Sequence, residues 1–439
     1  MFSTRVASAV GLVSKQLSLA KRANGLGLKS VLRCYQALPK APLEGLRILD
    51  MSRVLSGPYA TMILGDYGAE IIKVERPGLG DDTRAFGPPF CEDQSVYFMS
   101  INRNKRSVCV DFKTKKGADL IKKLAQKSDV LIENFMPGKL AEMGLGYDQV
   151  KEVAPNIIYC SVTGYGQSGP YANRGGYDVT AAAIGGLMHI TGEPEGDPCR
   201  VGVAITDITT GLYAHGAIMA ALLEREKTGQ GRYIDCSLLA SQVAVLSHLA
   251  GNYLNSNVEA TRIGAGHHNI VPYQAFKTKD GNMVVVAGND GQFRALCRRI
   301  DMEHLLDDDR FKTNGLRVQN RRVLVPLIQE RLMQEKTSHW LTTFENGGFP
   351  FGSINTMSQV FEDPQVKHLG MIQEIPHSSV GTLRLAGPAV AFDGTSEMKK
   401  PLPPPLLGEH TREVLQEVLN LEDGFIDELE DHKIIACME

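Results

Sequence analysis

Short, nearly unbroken apolar runs recur through the first half of the chain, at 46–49, 69–75, 107–111, 129–133 and 157–162. Turn formers such as Asp50, Pro77-Gly78 and Pro137-Gly138 follow them. A strand with one wet face alternates apolar and polar residues. A continuous run reads instead as a strand covered on both faces, the mark of a parallel sheet between helices. Helical spacing appears between the runs, at 59–67 behind Gly57-Pro58 and at 115–128. The order strand, turn, helix, strand predicts an α/β fold, a doubly wound Rossmann-like large domain.

The pattern changes further along. A strand is expected at 232–236 and one long apolar helix at 238–254. Strands at 275–278 and 282–287 flank Lys279-Asp-Gly281 and predict a hairpin. Helices are expected at 292–299, 321–334 and 411–419, with a rigid Pro-rich crossover at 399–405. These elements divide the chain into a large domain at 43–254, a linker and Gly-rich loop at 255–269, a smaller α+β domain at 270–360, and a C-terminal segment, 361–439, returning to the large domain.

The stretch Gly202-Val-Ala-Ile-Thr-Asp-Ile-Thr-Thr-Gly211 places Asp207 between an apolar strand end at 203–205 and a helix at 212–224. A carboxylate on such a turn either caps the helix or does chemistry there.

Composition narrows the function. The chain is 43% hydrophobic and 22% charged, with a formal net charge of -3, so it has no basic footprint for nucleic acid. No apolar run is long enough to span a membrane. The eight Cys are scattered without a CxxC pair, which predicts reduced thiols and no metal site. Residues 1–42 contain no acid, seven of the 47 basic residues and five Ser; Val6, Val10, Val13, Leu17 and Ala20 can share one helix face. That composition predicts a mitochondrial transit peptide and a matrix location. The first βα turn, Arg53-Val-Leu-Ser-Gly-Pro58, is not GxGxxG, and neither GxxxxGK[ST] nor GxSxG occurs. Nicotinamide or flavin chemistry, P-loop hydrolysis and α/β-hydrolase chemistry are disfavoured.

Several blocks, in order, resemble the family III coenzyme A transferases, which include formyl-CoA transferase, carnitine CoA-transferase and alpha-methylacyl-CoA racemase. They are Leu43-Glu-Gly-Leu-Arg-Ile-Leu-Asp50, Leu55-Ser-Gly-Pro58, Gly68-Ala-Glu-Ile-Ile-Lys-Val-Glu-Arg-Pro-Gly78, Asn102-Arg-Asn-Lys-Arg-Ser107 and Glu133-Asn-Phe-Met-Pro-Gly138. Gly164-Tyr-Gly-Gln-Ser-Gly-Pro170, Gly176-Tyr-Asp178, Asp207 and Leu407-Gly-Glu-His-Thr411 continue the series. The resemblance implies that Asp207 is a covalent nucleophile. It would attack an acyl-CoA, carry CoA as an aspartyl thioester, and pass it to a second acid. It implies CoA or substrate contacts for Leu55, Ser56, Arg76, Val110, Asp111, Phe112, Lys113, Asn134, Phe135, Tyr177 and Asp178. A mobile Gly-rich loop containing Gly264, Gly266, His267 and His268 would cover the site. Leu55 stands where formyl-CoA transferase has Gln, which argues against formate or oxalate as substrates.

Within the family, the text is most similar to members that move CoA from succinyl-CoA to glutarate. A dicarboxylic acceptor needs a cation for its distal carboxylate, and Arg53, Arg84, Arg174 and His267 are the candidates. The family's racemases carry His about thirty residues before the Asp; here that position is Tyr177. Tyr, with a pKa near ~10, is a poor base at neutral pH, so transfer is favoured over racemisation. A non-catalytic CoA-binding protein would be expected to lack the nucleophile. The expected partners are small CoA esters and dicarboxylic acids, with no permanently bound cofactor, and an interlocked homodimer.

Overall fold

In the computed structural model, residues 41–394 and 400–438 are described. The transit-peptide segment lies outside them except for its last two residues, and so does Lys399 at the head of the Pro-rich crossover. The apolar runs form strands β1 (Arg47–Asp50), β2 (Glu70–Glu75), β3 (Lys105–Val110), β4 (Val130–Glu133) and β5 (Ile158–Thr163), joined by β6 (Arg232–Ser237). They pair in parallel in the order β3-β2-β1-β4-β5-β6.

The two faces of this sheet explain the continuous hydrophobicity. Leu49, Val74, Val108 and Leu131 pack on one side beneath α2 (Lys115–Gln126) and α7 (Thr411–Leu419), meeting Ile121, Leu124, Val414 and Leu415. Ile48, Ile71, Ile132 and Ile158 pack on the other side beneath α1 (Ser56–Asp66) and α4 (Ile205–Thr228), meeting Leu64, Ala214 and Ile218. Neighbouring residues thus serve opposite faces, and both are dry.

This strand order has one reversal. From β1 the chain builds outward through β2 to β3, then returns to place β4 on the other side of β1. The loops leaving β1 and β4 therefore run apart and leave a crevice at the carboxyl ends of the strands, where open α/β sheets bind ligands.

Several elements differ from expectation. No strand precedes Asp207; α4 begins at Ile205, so Asp207 stands in its first turn. The apolar stretch at 238–254 is two helices, α5 (Leu238–Ala244) and α6 (Ser247–Ser256), with the break marked by Ser247 at φ 50°. The predicted hairpin, β7 (Tyr273–Lys277) and β8 (Asn282–Val286), gains a third strand, β9 (Phe351–Ser353). Around it a separate core gathers Phe276, Val285, Leu296, Trp340 and Phe344. Past it come the hairpin β10 (Ile372–His377) and β11 (Gly381–Ala386), helix α8 (Asp423–Asp431) and strand β12 (Ile435–Ala436). β12 pairs antiparallel with β3 and closes that edge of the main sheet. Among the described residues no helix is long and apolar enough to cross a membrane.

Candidate active site

The turn after β1 rests on buried charge. Asp50 and Lys105 are fully buried and meet at 3.0 Å. Lys105 Nζ also donates to the Pro58 carbonyl at 2.8 Å, in the first turn of α1. Thr61 Oγ1 donates to Asp50 Oδ2, and the Ser52 backbone N–H and hydroxyl donate to Oδ1. Burial alone would raise the Asp50 pKa, but the Lys105 and Lys73 ammonium groups and these hydroxyls hold it down to about 2. Burial pushes Lys105 down to about 8 despite Asp50. Lys73, on β2, donates to the Ser52 carbonyl at 3.0 Å and to Asp81 Oδ2 at 2.9 Å. Asp81 Oδ1 accepts the backbone N–H of Val54, a β-branched residue held at φ 69°. Such a backbone persists only where surrounding contacts enforce it. The network fixes residues 52–58 from beneath, and Lys73 and Lys105 were not foreseen as site-builders. Their signal was a lysine in each of two strands that are buried at all but one position.

Asp207 reaches the same place from α4. The residue is 9% exposed, and Oδ1 accepts the Ser56 hydroxyl at 2.5 Å. Gly211, one turn along α4, permits this approach. A Cβ there would lie 2.7 Å from the Ser56 carbonyl oxygen. Asp207 does not cap its own helix. That role falls to Asp178, at the start of α3 (Asp178–Ile184), whose Oδ1 accepts Thr206 N–H at 2.8 Å and Asp207 N–H at 3.2 Å. The Thr206 hydroxyl is taken by Gln242 of α5. Burial pushes the Asp207 carboxyl up to about 6; Ser56 opposes the rise and the Asp178 charge adds to it.

A cavity of about 300 Å³ opens over this carboxylate, in the crevice between the loops after β1 and β4. Arg53, Leu55, Ser56, Asn134, Phe135, Arg174, Tyr177, Asp207 and Leu238 are among the residues that line it. Arg53 and Asn134 tie the two loops together: Arg53 N–H donates to Asn134 Oδ1 at 2.9 Å, and Asn134 Nδ2 donates back to the Arg53 carbonyl at 2.6 Å. The Arg53 guanidinium lies 5.1 Å from the Phe135 ring centre and donates to Asp82 at 2.8 Å. Its Nε is buried without a partner.

The remaining candidates divide into groups. Arg76 shares Asp82 with Arg53, at 3.1 Å. Phe112 meets the Phe135 ring edge-on, so the turns after β3 and β4 touch. Val110 is buried at the end of β3, and the Asp111 carboxylate accepts the Lys113 N–H as the turn begins. These residues form a shelf beside the cavity. Arg84 stands apart, bound to Glu75 through both Nε and Nη2 and stacked on Phe98. The Gly264–His268 loop does not line the cavity. His267 stacks on Tyr273 and His248, Gly264 N–H donates to the Gly192 carbonyl, and Arg321 holds the His267 and His268 carbonyls.

The model for CoA-transferase family III matches residues 43–411. The chain belongs to that family. Among family III relatives, succinyl-CoA:glutarate CoA-transferase of Homo sapiens is 56% identical over 388 residues, 88% of each chain. Succinate–glutarate CoA-transferase of Agrobacterium fabrum is 41% identical, covering 87% of this chain and 97% of its own. Of solved family III structures, a CaiB/BaiF family protein from Brucella suis superposes with a TM-score of 0.77 at 42% identity, covering 86% of this chain and 99% of that one.

Proposed function

We propose that this protein transfers CoA from succinyl-CoA to glutarate, or between closely related dicarboxylic acids, through a covalent intermediate on Asp207. The observation that carries the reading is Asp207 itself, a buried residue that lines the crevice cavity beside Ser56. The two curated relatives above support the choice of acids.

The chemistry follows from the arrangement. Asp207 Oδ2 attacks the succinyl-CoA carbonyl carbon. The C–S bond breaks, leaving a mixed anhydride and CoA thiolate. The thiolate attacks the Asp207 carbonyl carbon and expels succinate, which gives aspartyl-CoA. Glutarate repeats the two steps in reverse and leaves as glutaryl-CoA. Each step exchanges one acyl bond for another, so the thioester is conserved. A carboxyl group titrating at about 6 is ionised at neutral pH and more basic than a free Asp, which suits a nucleophile that must attack without a separate base. The first backbone N–H groups of α1, at Ser56 and Gly57, lack intrahelical partners by geometry and carry the positive end of the helix dipole towards the same point.

Arg53 is the best placed cation for the distal carboxylate. It lines the cavity with Asp207, as Arg174 does, and beside its pair with Asp82 it keeps a buried Nε without a partner, whereas Arg84 is committed to Glu75 and His267 lies with the loop outside the lining. Arg76, Phe112, Lys113 and Phe135 would carry the nucleotide end of CoA on the shelf beside the cavity. We assign the working form to a homodimer and the location to the mitochondrial matrix, on the acid-free basic N-terminus.

Racemisation is the competing activity of the family. Among the described residues no histidine lines the cavity, and Tyr177, 66% exposed at its rim, is a poor base. Incubation with succinyl-CoA and glutarate, with CoA esters followed by mass, decides the substrate assignment. Glutaryl-CoA and free succinate should appear together. Absence of glutaryl-CoA, with another acid accepting CoA, would reassign the acceptor.

A further inference from the structure

Ser56 is 4% exposed, and its hydroxyl is spent on Asp207 Oδ1. The helix N–H groups nearest Asp207, those of Thr206 and of Asp207 itself, are already taken by the Asp178 carboxylate. The nucleophile therefore depends on a donor from another helix. On the reading that Asp207 forms the covalent intermediate, which this inference shares, we propose that Ser56 is a catalytic residue. Its hydroxyl holds Oδ1 in the resting carboxylate and donates to the oxyanion that forms on the same atom when CoA thiolate attacks the aspartyl anhydride.

The sequence of bonds supports the assignment. With Oδ1 held by Ser56, Oδ2 is the oxygen that attacks the acyl-CoA. In the anhydride Oδ1 is a neutral carbonyl oxygen and the hydrogen bond is weak. The thiolate then bonds to the Asp207 carbonyl carbon and the π pair moves onto Oδ1. The bond becomes a charge-assisted one, strongest at the tetrahedral intermediate. Collapse returns the pair, breaks the C–Oδ2 bond and releases the donor acid with Oδ2. Ser56 keeps its proton throughout, so it acts as an oxyanion donor and not as a nucleophile. The reverse half-reaction uses the same contact when the acceptor carboxylate attacks aspartyl-CoA. Position is enforced twice: the close approach at Gly211 brings α1 against α4, and Lys105 holds the Pro58 carbonyl two residues past Ser56.

The test uses the full chain with succinyl-CoA and glutarate. Capture of the CoA adduct on Asp207 in the unsubstituted enzyme, as the hydroxamate, checks the covalent reading on its own; an unmodified Asp207 would overturn both readings. With the adduct established, Ser56→Ala is expected to lower kcat by about 10²-fold, the usual effect of losing one oxyanion donor, and to leave KM for glutarate within about two-fold. The same variant should move the acid limb of kcat/KM to higher pH, because a donor that favours the charged carboxylate is gone. A kcat within about two-fold of the unsubstituted enzyme, or a lower kcat with the acid limb unmoved, would overturn the role of Ser56 while leaving Asp207 as the nucleophile.

Discussion

Ser56 and Asp207 stand 151 residues apart in the chain and 2.5 Å apart in the fold. They meet because α1 and α4 cover the same face of the sheet and because α4 carries Gly211 where the helices touch. The contact sets Asp207, the nucleophile of the proposed reaction, in the crevice of the parallel sheet.

Burial of Asp207 is useful to the reaction and costly to the fold. Its carboxyl is pushed from 3.8 up to about 6, so the folded state holds the proton more tightly than the unfolded chain. Stability is therefore lost as pH rises from about 4 to about 6, by up to roughly 3 kcal/mol. Asp207→Asn should abolish transfer yet melt at a higher temperature than the unsubstituted protein at pH 7.5, with the difference vanishing near pH 4. The kcat/KM of the unsubstituted enzyme should fall as pH drops through about 6, where Asp207 protonates. A variant less stable at neutral pH would contradict the burial argument.

Gly211→Ala tests the contact between helices. The added Cβ would sit 2.7 Å from the Ser56 carbonyl oxygen, against backbone that cannot swing aside. We expect a loss of about 1–3 kcal/mol in urea unfolding and a fall in kcat as Ser56 withdraws. Unchanged stability and rate would show that the helices have room to spare.

Lys105 neutralises Asp50 in the buried network, and Asp50 sits at about 2 in consequence. That stabilising contribution is present above pH 4 and is lost as pH falls towards 2. Lys105→Met leaves the carboxylate buried and less compensated and should cost about 3–5 kcal/mol at pH 7. A denaturant melt showing a loss below about 1 kcal/mol would mean that Lys73 alone satisfies Asp50.

The role proposed for Arg53 separates a dicarboxylate enzyme from one serving monocarboxylates. Arg53→Gln should raise KM for glutarate by roughly 10²-fold through the lost ion pair, while a monocarboxylate of similar length is little affected. Equal losses for both acids would move the distal-carboxylate role to another cation, with Arg174, which also lines the cavity, next in line.

Much of the scaffold was legible in the residues. β1 to β5 appear as continuous apolar runs because both faces of a parallel sheet are covered, and their order with the helices implies the Rossmann-like winding. What was hidden depends on contacts distant in sequence. β12 is too short to carry a pattern and exists through its pairing with Val110 and Cys109. The break between α5 and α6 falls at Val245-Leu246, with neither Gly nor Pro between 238 and 247 to signal a stop, and only the left-handed backbone at Ser247 marks it. At the site, Asp207 was recognisable but its setting was not. Capping, one of the two roles its local sequence left open, falls to Asp178, and its hydrogen-bond donor comes from α1. Arg84, one of the cations considered for the distal carboxylate, closes on Glu75 through a contact nine residues back that nothing local signals.

In the proposed reaction Asp207 becomes covalently bound to the acid it serves. Turnover of succinyl-CoA with glutarate carrying ¹⁸O in its carboxylates tests it directly. Each reverse half-reaction leaves one glutarate oxygen on the carboxylate of the nucleophile. After several turnovers, mass spectrometry of the peptide containing Asp207 should show ¹⁸O in that side chain and in no other. Glutaryl-CoA formed at the normal rate with Asp207 free of ¹⁸O would mean that CoA passes between the acids without the aspartyl intermediate.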